Sequence, residues 1–332
     1  MPAQSPSQIV SAIERAFEAS SVSAILVSEK RTHPRRFFVS GNGSSSFPVW
    51  IYIWTLTHGG GAARPEDEYR IQLTSVTPPL PENPNGPTLL LGYEPETGCF
   101  AGFDLSKHRE FSIQSPSIQI NINALRNAVR DGFSFTRKGN DEIAIAFCPD
   151  NMLAYCLNSD SLHKDGANAD VTKILSRVGR LEEVEDDEIE SLSPERKRIV
   201  SIVARLTRDC NFRRKVTVAY DRMCCVTGMQ MKLVDAAHIL PVGAEGSIDE
   251  VKNGLCLSPT YHRAYDHGLI YLSEDFQMLI NSSKRKELIE LDQAKGIEVF
   301  ELTLGREIYL PADRLQWPDP NLVRAANQFR KI

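Results

Sequence analysis

The chain has 332 residues, 42% hydrophobic, 24% charged and 8% aromatic, an ordinary globular composition that excludes a disordered chain and suggests about two domains. No run approaches the roughly 18–20 continuous apolar residues of a membrane span, and the start lacks the basic stretch and apolar core of a signal peptide, so a cytoplasmic protein with no membrane partner is expected. The net charge of −5 disfavours nucleic acid as a partner, yet it is unevenly spread: beyond residue 194, 21 Lys/Arg outweigh 18 Asp/Glu, while seven acids crowd into 182–190 (EEVEDDEIE).

Residues 5–18 are predicted as a helix. Ser5 or Ser7 can cap it, Pro6 suits its first turn, and Ile9, Ile13, Ala16 and Phe17 fall on one face. From residue 23 to 122 the period changes to short β-branched and aromatic runs: SAILVSE, RRFFVSG, PVWIYIWTLT, DEYRIQLT, TLLLGYE, CFAGFDL and SIQI. Turn-forming clusters such as GNGSSS and PPLPENPNGP separate them. A short helix over 122–131 follows, and DEIAIAFCPDNMLAYCL adds a strand and a short helix. Residues 1–158 thus read as a β-rich domain.

Several features there suit a target-reading role. KRTHPRR (Lys30, Arg31, His33, Arg35, Arg36) is a compact cationic loop. Trp50, Tyr52 and Trp54 alternate and so share one strand face, either as core or as a platform for an extruded base. FSIQSPSIQI offers Ser and Gln side chains, and HGGGAARP would allow close backbone approach. None of these forms a recognisable motif.

Residues 159–192, polar and then strongly acidic, read as a solvated linker, or alternatively as a mimic of DNA that covers a basic groove. A helical pattern returns at SPERKRIVSIVARLTRD, with Ser193 as cap and Pro194 at the first position. Residues 196–222 hold nine Lys/Arg against Asp209 and Asp221. Arg213, Arg214, Lys215 and Arg222 in this patch, with Arg35 and Arg36 in the first domain, are candidate phosphate contacts. The seven cysteines, an odd number without any Cys-x-x-Cys pair, argue against a disulfide framework and a paired zinc knuckle.

The chemistry concentrates in 224–272. His238, Asn253, His262 and Asp266 fall within 29 positions. His262 and Asp266 stand at i and i+4, on one face of a helix, where two side chains can grip one ion. Imidazole plus carboxylate suits Mg²⁺, Mn²⁺ or Zn²⁺ rather than a thiolate metal. His238, on a strand, could face that ion as a general base.

The text YDRMCCVTG…LVDAAHILP…KNGLCLSPTYHRAYDHGLI resembles the HNH nucleases, the ββα-metal type found in many bacterial restriction endonucleases, over about residues 194–332. His238 matches the family's first His, Asn253 its Asn and His262 its last His, with the usual nine-residue step from Asn253 to His262. Asp266 matches a position that often supplies a further metal ligand. One departure stands out: many members carry Asp or His immediately before the general base, where this chain has Ala237. Asp235, two residues earlier on the same side of the strand, could reach the ion directly, through water, or not at all, with water alone completing the shell.

The resemblance implies an α+β protein in which a β-rich target-recognition domain (1–158) and an acidic linker (159–192) precede an HNH endonuclease domain (193–332). It implies hydrolysis of double-stranded DNA with one divalent ion per site, Mg²⁺ first and Mn²⁺ or Zn²⁺ as alternatives. His238 would accept the proton of the attacking water, Asn253 would fix the loop, and His262 and Asp266 would hold the ion. The target would be a specific sequence or a modified base, and cutting both strands implies a homodimer. Rival readings are a non-catalytic DNA-binding protein with a degenerate HNH fold, and a defence nuclease whose first domain senses a ligand or partner.

Overall fold

Helix α1 (Pro6–Ala19) starts at a capping box: the Ser5 hydroxyl accepts from the Gln8 amide and the Gln8 side chain accepts from the Ser5 amide, fixing the first turn. The computed structural model describes residues 3–41, 46–58, 65–111, 116–182 and 184–332. Parts of GNGSSS, HGGGAARP, FSIQSPSIQI and the acidic run (42–45, 59–64, 112–115 and 183) therefore lie outside the described residues. The chain divides into two compact units, Met1–Cys210 and Asn211–Ile332.

Among the described residues, the first unit continues with β1 (Val22–Leu26), β2 (Arg35–Gly41), β3 (Phe47–Thr55), β4 (Thr57–His58), β5 (Glu68–Gln72), β6 (Thr88–Tyr93) and β7 (Phe100–Phe103). After these come α2 (Leu105–His108), β8 (Ser117–Asn121), α3 (Ile122–Asp131), β9 (Phe133–Arg137), β10 (Ile143–Phe147), α4 (Met152–Asp165), α5 (Ala169–Gly179) and α6 (Asp186–Glu190). Seven strands form one sheet in the order β1-β2-β3-β6-β7-β10-β9, and β4-β5-β8 form a second. Every pairing is antiparallel except β3 with β6.

Alternation assigns each sheet face. Val49, Ile51 and Ile53 of β3 pack with Ile13 and Phe17 of α1 and with α4 and α5. Tyr52, Leu90 and Ala144 point into a second core shared with Ile71, Ile118 and Leu125. Strand β10 is buried along its whole length, which explains its unbroken apolar run IAIAF.

The segment expected as a linker, 159–192, is mostly folded. Its residues complete α4 and form α5 and α6. Val171, Ile174, Leu175 and Val178 are buried in the first core; their i, i+3, i+4, i+7 spacing makes an amphipathic helix, which the flanking polar and acidic residues obscured.

Helix α7 (Pro194–Ala219) runs ten residues past the predicted end. Ile199, Val200 and Val203 belong to the first unit's core, and Phe212, Val216 and Tyr220 to the second's. The second unit then contains β11 (Asp235–His238), β12 (Gly254–Leu257), α8 (Pro259–Asp266), β13 (Ile270–Leu272), β14 (Met278–Ile280), α9 (Ser282–Glu290), α10 (Ile297–Glu301) and α11 (Pro320–Phe329). The fold is mixed α and β, with a β-rich N-terminal region, as the sequence suggests. No helix among the described residues is long and apolar enough to cross a membrane.

Candidate active site

Strands β11 and β12 form an antiparallel hairpin with His238 opposite Gly254 and Asp235 opposite Leu257. Gly254 is required by packing: a Cβ there would lie 2.3 Å from Val216 Cγ2 and 3.2 Å from Phe212 Cζ of α7. The bare backbone lets α7 lie close to the hairpin, where the Phe212 ring stacks on the His238 imidazole at 3.7 Å between centroids, 8° from parallel.

Asn253, fully buried, closes the loop between the strands. Its Oδ1 accepts from the Leu240 amide at 2.8 Å, and its Nδ2 donates to the carbonyls of Leu240 at 3.1 Å and Ile248 at 2.9 Å. Every polar atom of the amide is thereby used. The next residue after Ile248, Asp249, places Oδ1 2.9 Å from His238 Nε2.

Helix α8 starts at Pro259 after an extended Ser258 and carries His262 and Asp266 on one face, with Nε2 and Oδ2 3.4 Å apart. Asp235 approaches the other ring nitrogen, Nδ1, at 3.8 Å and pairs with Arg213 at 3.1 Å. Asp235 is the largest influence holding the His262 pKa above its usual value; burial opposes it and Asp266 adds to it. The hairpin and α8 thus bring together two groups: His238 with Asp249 and Phe212, and His262 with Asp235, Asp266 and Arg213.

A strand hairpin followed by a helix, with His on the first strand, Asn at the turn and His on the helix, defines the ββα-metal class of nuclease. Residues 224–273 match the family model described as HNH endonuclease, and residues 47–156 match the one described as Methylase-associated X1. The second unit therefore carries an HNH endonuclease domain. No curated protein matches the chain. One solved structure that does is described as "Modification dependent TagI restriction endonuclease"; it is 12% identical, with 83% of this chain and 80% of that one covered, at a TM-score of 0.28, a likeness too distant to carry any argument.

HNH nucleases generally use a divalent metal. Two donors on one octahedral ion at 2.0–2.1 Å sit about 3 Å apart, close to the observed spacing of His262 Nε2 and Asp266. Among the described residues no group of three or more His, Cys, Asp or Glu converges on a metal position. The His262–Asp266 pair would fit an ion held by two protein donors. Asp235, the candidate for a direct or water-mediated contact with the ion, lies 3.8 Å from His262 Nδ1. It faces the ring nitrogen that an Nε2-bound ion leaves free, the place of a carboxylate that orients a ligating histidine.

Three of the candidate phosphate contacts are engaged within the protein, Arg214 among them through Asn211 Oδ1 at 3.2 Å. Arg35 is 3% exposed and donates to the carbonyls of Lys30 and Ile53, while burial pulls its pKa down to about 10. It is a structural residue, because the register that turns Phe37 and Val39 into the core turns Arg35 inward too. Arg213 is held by Asp235. Arg214, Lys215 and Arg222 are exposed, as is Arg36, whose guanidinium lies over Trp50 at 4.5 Å. The aromatic row splits: Tyr52 is core, donating to the Pro81 carbonyl, while half-buried Trp54 stacks on His33 at 4.3 Å. Cys225 and Cys256 are core thiols pushed up by burial, Cys256 to about 12.

Sequence reasoning missed Phe212 and Asp249. Phe212 sits inside a basic run that drew attention to charge, and Asp249 lies in AEGSIDE, which reads only as a polar loop.

Proposed function

We propose that this protein is a metal-dependent endonuclease of a bacterial restriction system. It hydrolyses double-stranded DNA at a site, a short sequence or a modified base, selected by the N-terminal unit. The carrying observation is the His238 imidazole on the hairpin, backed by Asp249 and Phe212, within a domain whose α8 offers the His262–Asp266 pair. The Methylase-associated X1 match supports a restriction context, since its name ties such domains to methylases.

Neutral His238 accepts a proton from a water, whose oxygen bonds to phosphorus as the bond to the 3′ oxygen breaks; the departing oxygen takes a proton from solvent. A positioned general base contributes about 10²–10⁴-fold. A divalent ion, Mg²⁺ for preference, supplies charge neutralisation at the phosphate when bound by His262 and Asp266. Arg214, Lys215 and Arg222 of the second unit and Arg36 of the first supply phosphate contacts, the protein acts in the cytoplasm, and a homodimer cuts both strands. The test is digestion of methylated and unmethylated plasmid by the full chain with Mg²⁺, Mn²⁺ or chelator. Metal-dependent cutting of at least one plasmid is expected, and no cutting under any condition sinks the proposal.

A second reading rests on a cavity of about 570 Å³ in the first unit, lined by polar groups including Glu82, Asp104, Lys107, Asp160 and Lys164. Its described lining has no Phe, Tyr or Trp to stack on a base, so it suits a small polar ligand sensed by the first unit. Binding of modified and unmodified duplexes to the full-length His238→Ala variant decides: no binding to either favours the sensor.

A further inference from the structure

We infer that Asp249 is the positioning residue of the nuclease site: it fixes the tautomer and ring angle of His238 so that Nδ1 is the nitrogen that accepts the water's proton. The inference rests on the nuclease reading of His238 and goes beyond it by assigning the group through which Asn253 acts.

The chain of contacts is explicit. An ionised carboxylate only accepts hydrogen bonds, so the 2.9 Å contact requires His238 Nε2 to carry the hydrogen. In a neutral imidazole the other nitrogen then has the free lone pair. Phe212, stacked 8° from parallel, removes the remaining freedom, rotation of the ring out of its plane. Asp249 is itself held from below. The Asn253 amide grips the Ile248 carbonyl, one residue before Asp249, and also both backbone groups of Leu240, two residues after His238. Asn253 therefore locks both ends of the pair without touching His238. Asp249 is 42% exposed at its side chain and His238 16%, so solvent reaches the carboxylate while the imidazole is largely enclosed.

The step served is one proton transfer. The water's proton moves to Nδ1, its oxygen forms the new bond to phosphorus, and the bond to the 3′ oxygen breaks. The carboxylate keeps Nε2–H throughout and stabilises the imidazolium that forms. Asp249 touches neither substrate nor ion.

Asp249→Asn is nearly isosteric and sits at the surface, so it leaves the fold intact, yet its NH₂ group can donate to Nε2 and favour the wrong tautomer. Full-length wild type, Asp249→Asn and Asp249→Ala are compared on plasmid DNA with Mg²⁺ or Mn²⁺, alongside ¹⁵N shifts of the His238 ring in selectively labelled protein. The expected result is a kcat lower by about 10²-fold in both variants, KM within about two-fold, unchanged melting, and an Nε2–H tautomer present in wild type but lost in Asp249→Asn. A wild-type rate in Asp249→Asn overturns the inference, as does a ring tautomer that the substitution leaves unchanged. If the wild type cuts nothing, the nuclease reading falls separately. The ring shifts then still decide: loss of the Nε2–H tautomer in Asp249→Asn upholds the positioning role, and an unchanged tautomer overturns it.

Discussion

Replacing Asn253 by alanine removes the clamp of the loop between β11 and β12, and the structure sets the size of the effect. Three hydrogen bonds to the backbone are lost: those to the amide and carbonyl of Leu240 and to the carbonyl of Ile248, the Leu240 carbonyl keeping the Ser247 hydroxyl as a donor. Leu240 is only 3% exposed, so water does not replace the bond to its amide. A net loss of about 1 kcal/mol per hydrogen bond, raised by the unsatisfied amide, gives roughly 3–4 kcal/mol. For a unit of this size that is a fall in Tm of roughly 10 °C or more. Thermal unfolding of the full chain followed by circular dichroism measures it, with hydrogen exchange at the Leu240 amide as a local check. Asn253→Asp sharpens the test. Its carboxylate still accepts from Leu240 N–H but faces two carbonyls, so it is at least as destabilised at neutral pH. It regains stability on acidification, when the protonated acid supplies a donor. A Tm shift under 2 °C for Asn253→Ala, or an Asn253→Asp protein whose stability deficit relative to wild type is no smaller at pH 5 than at pH 7, refutes the clamp.

Other consequences follow from individual contacts. Gly254→Ala places a methyl 2.3 Å from Val216 Cγ2 and is expected to destabilise by about 1–3 kcal/mol, with partial recovery in the Gly254→Ala/Val216→Ala double variant; simple additivity in denaturant titration contradicts the packing argument. His163 is buried between the Tyr155 hydroxyl and the Ile143 carbonyl, and burial holds its pKa below the usual value. Its neutral form therefore stabilises the fold above the unfolded-state pKa near 6.5, and that contribution is lost as pH falls below it. The Tm drop between pH 7 and pH 5 should shrink in His163→Gln relative to wild type. Arg36→Ala should weaken DNA binding and lower the salt slope by about 1 without changing stability, whereas Arg35→Ala should lower Tm; the reverse pattern in fluorescence anisotropy and melting contradicts the placement of the two side chains.

Legibility in the sequence follows the range of the forces involved. Hairpin, helix and the positions of His238, Asn253 and His262 were readable because local spacing and turn chemistry set them. The β-strands of the first unit were readable through alternation, although β9 (FSFTR) was missed beside a helix end and α5 was hidden by acidic neighbours. What spacing cannot show is which distant element covers a strand. Gly254, Val216 and Phe212 meet through tertiary packing, so the stacking on His238 had no local signal. The same applies to Arg35 and Arg36: the basic loop was visible, but only the sheet register shows that one side chain turns into the core and the other out to solvent. Asp235 likewise drew notice as a possible metal donor, while its approach to His262 Nδ1 and its pairing with Arg213 depend on how the hairpin and α8 pack.

The most direct measurement separates the base from the ion. Divalent metal binding by calorimetry and plasmid cleavage under single turnover are compared in wild type, His238→Ala and His262→Ala. The predicted pattern is that His238→Ala binds metal as wild type does yet cuts at least ~10²-fold more slowly, while His262→Ala loses both. Cleavage by His238→Ala at the wild-type rate, or metal binding untouched by His262→Ala, contradicts the account.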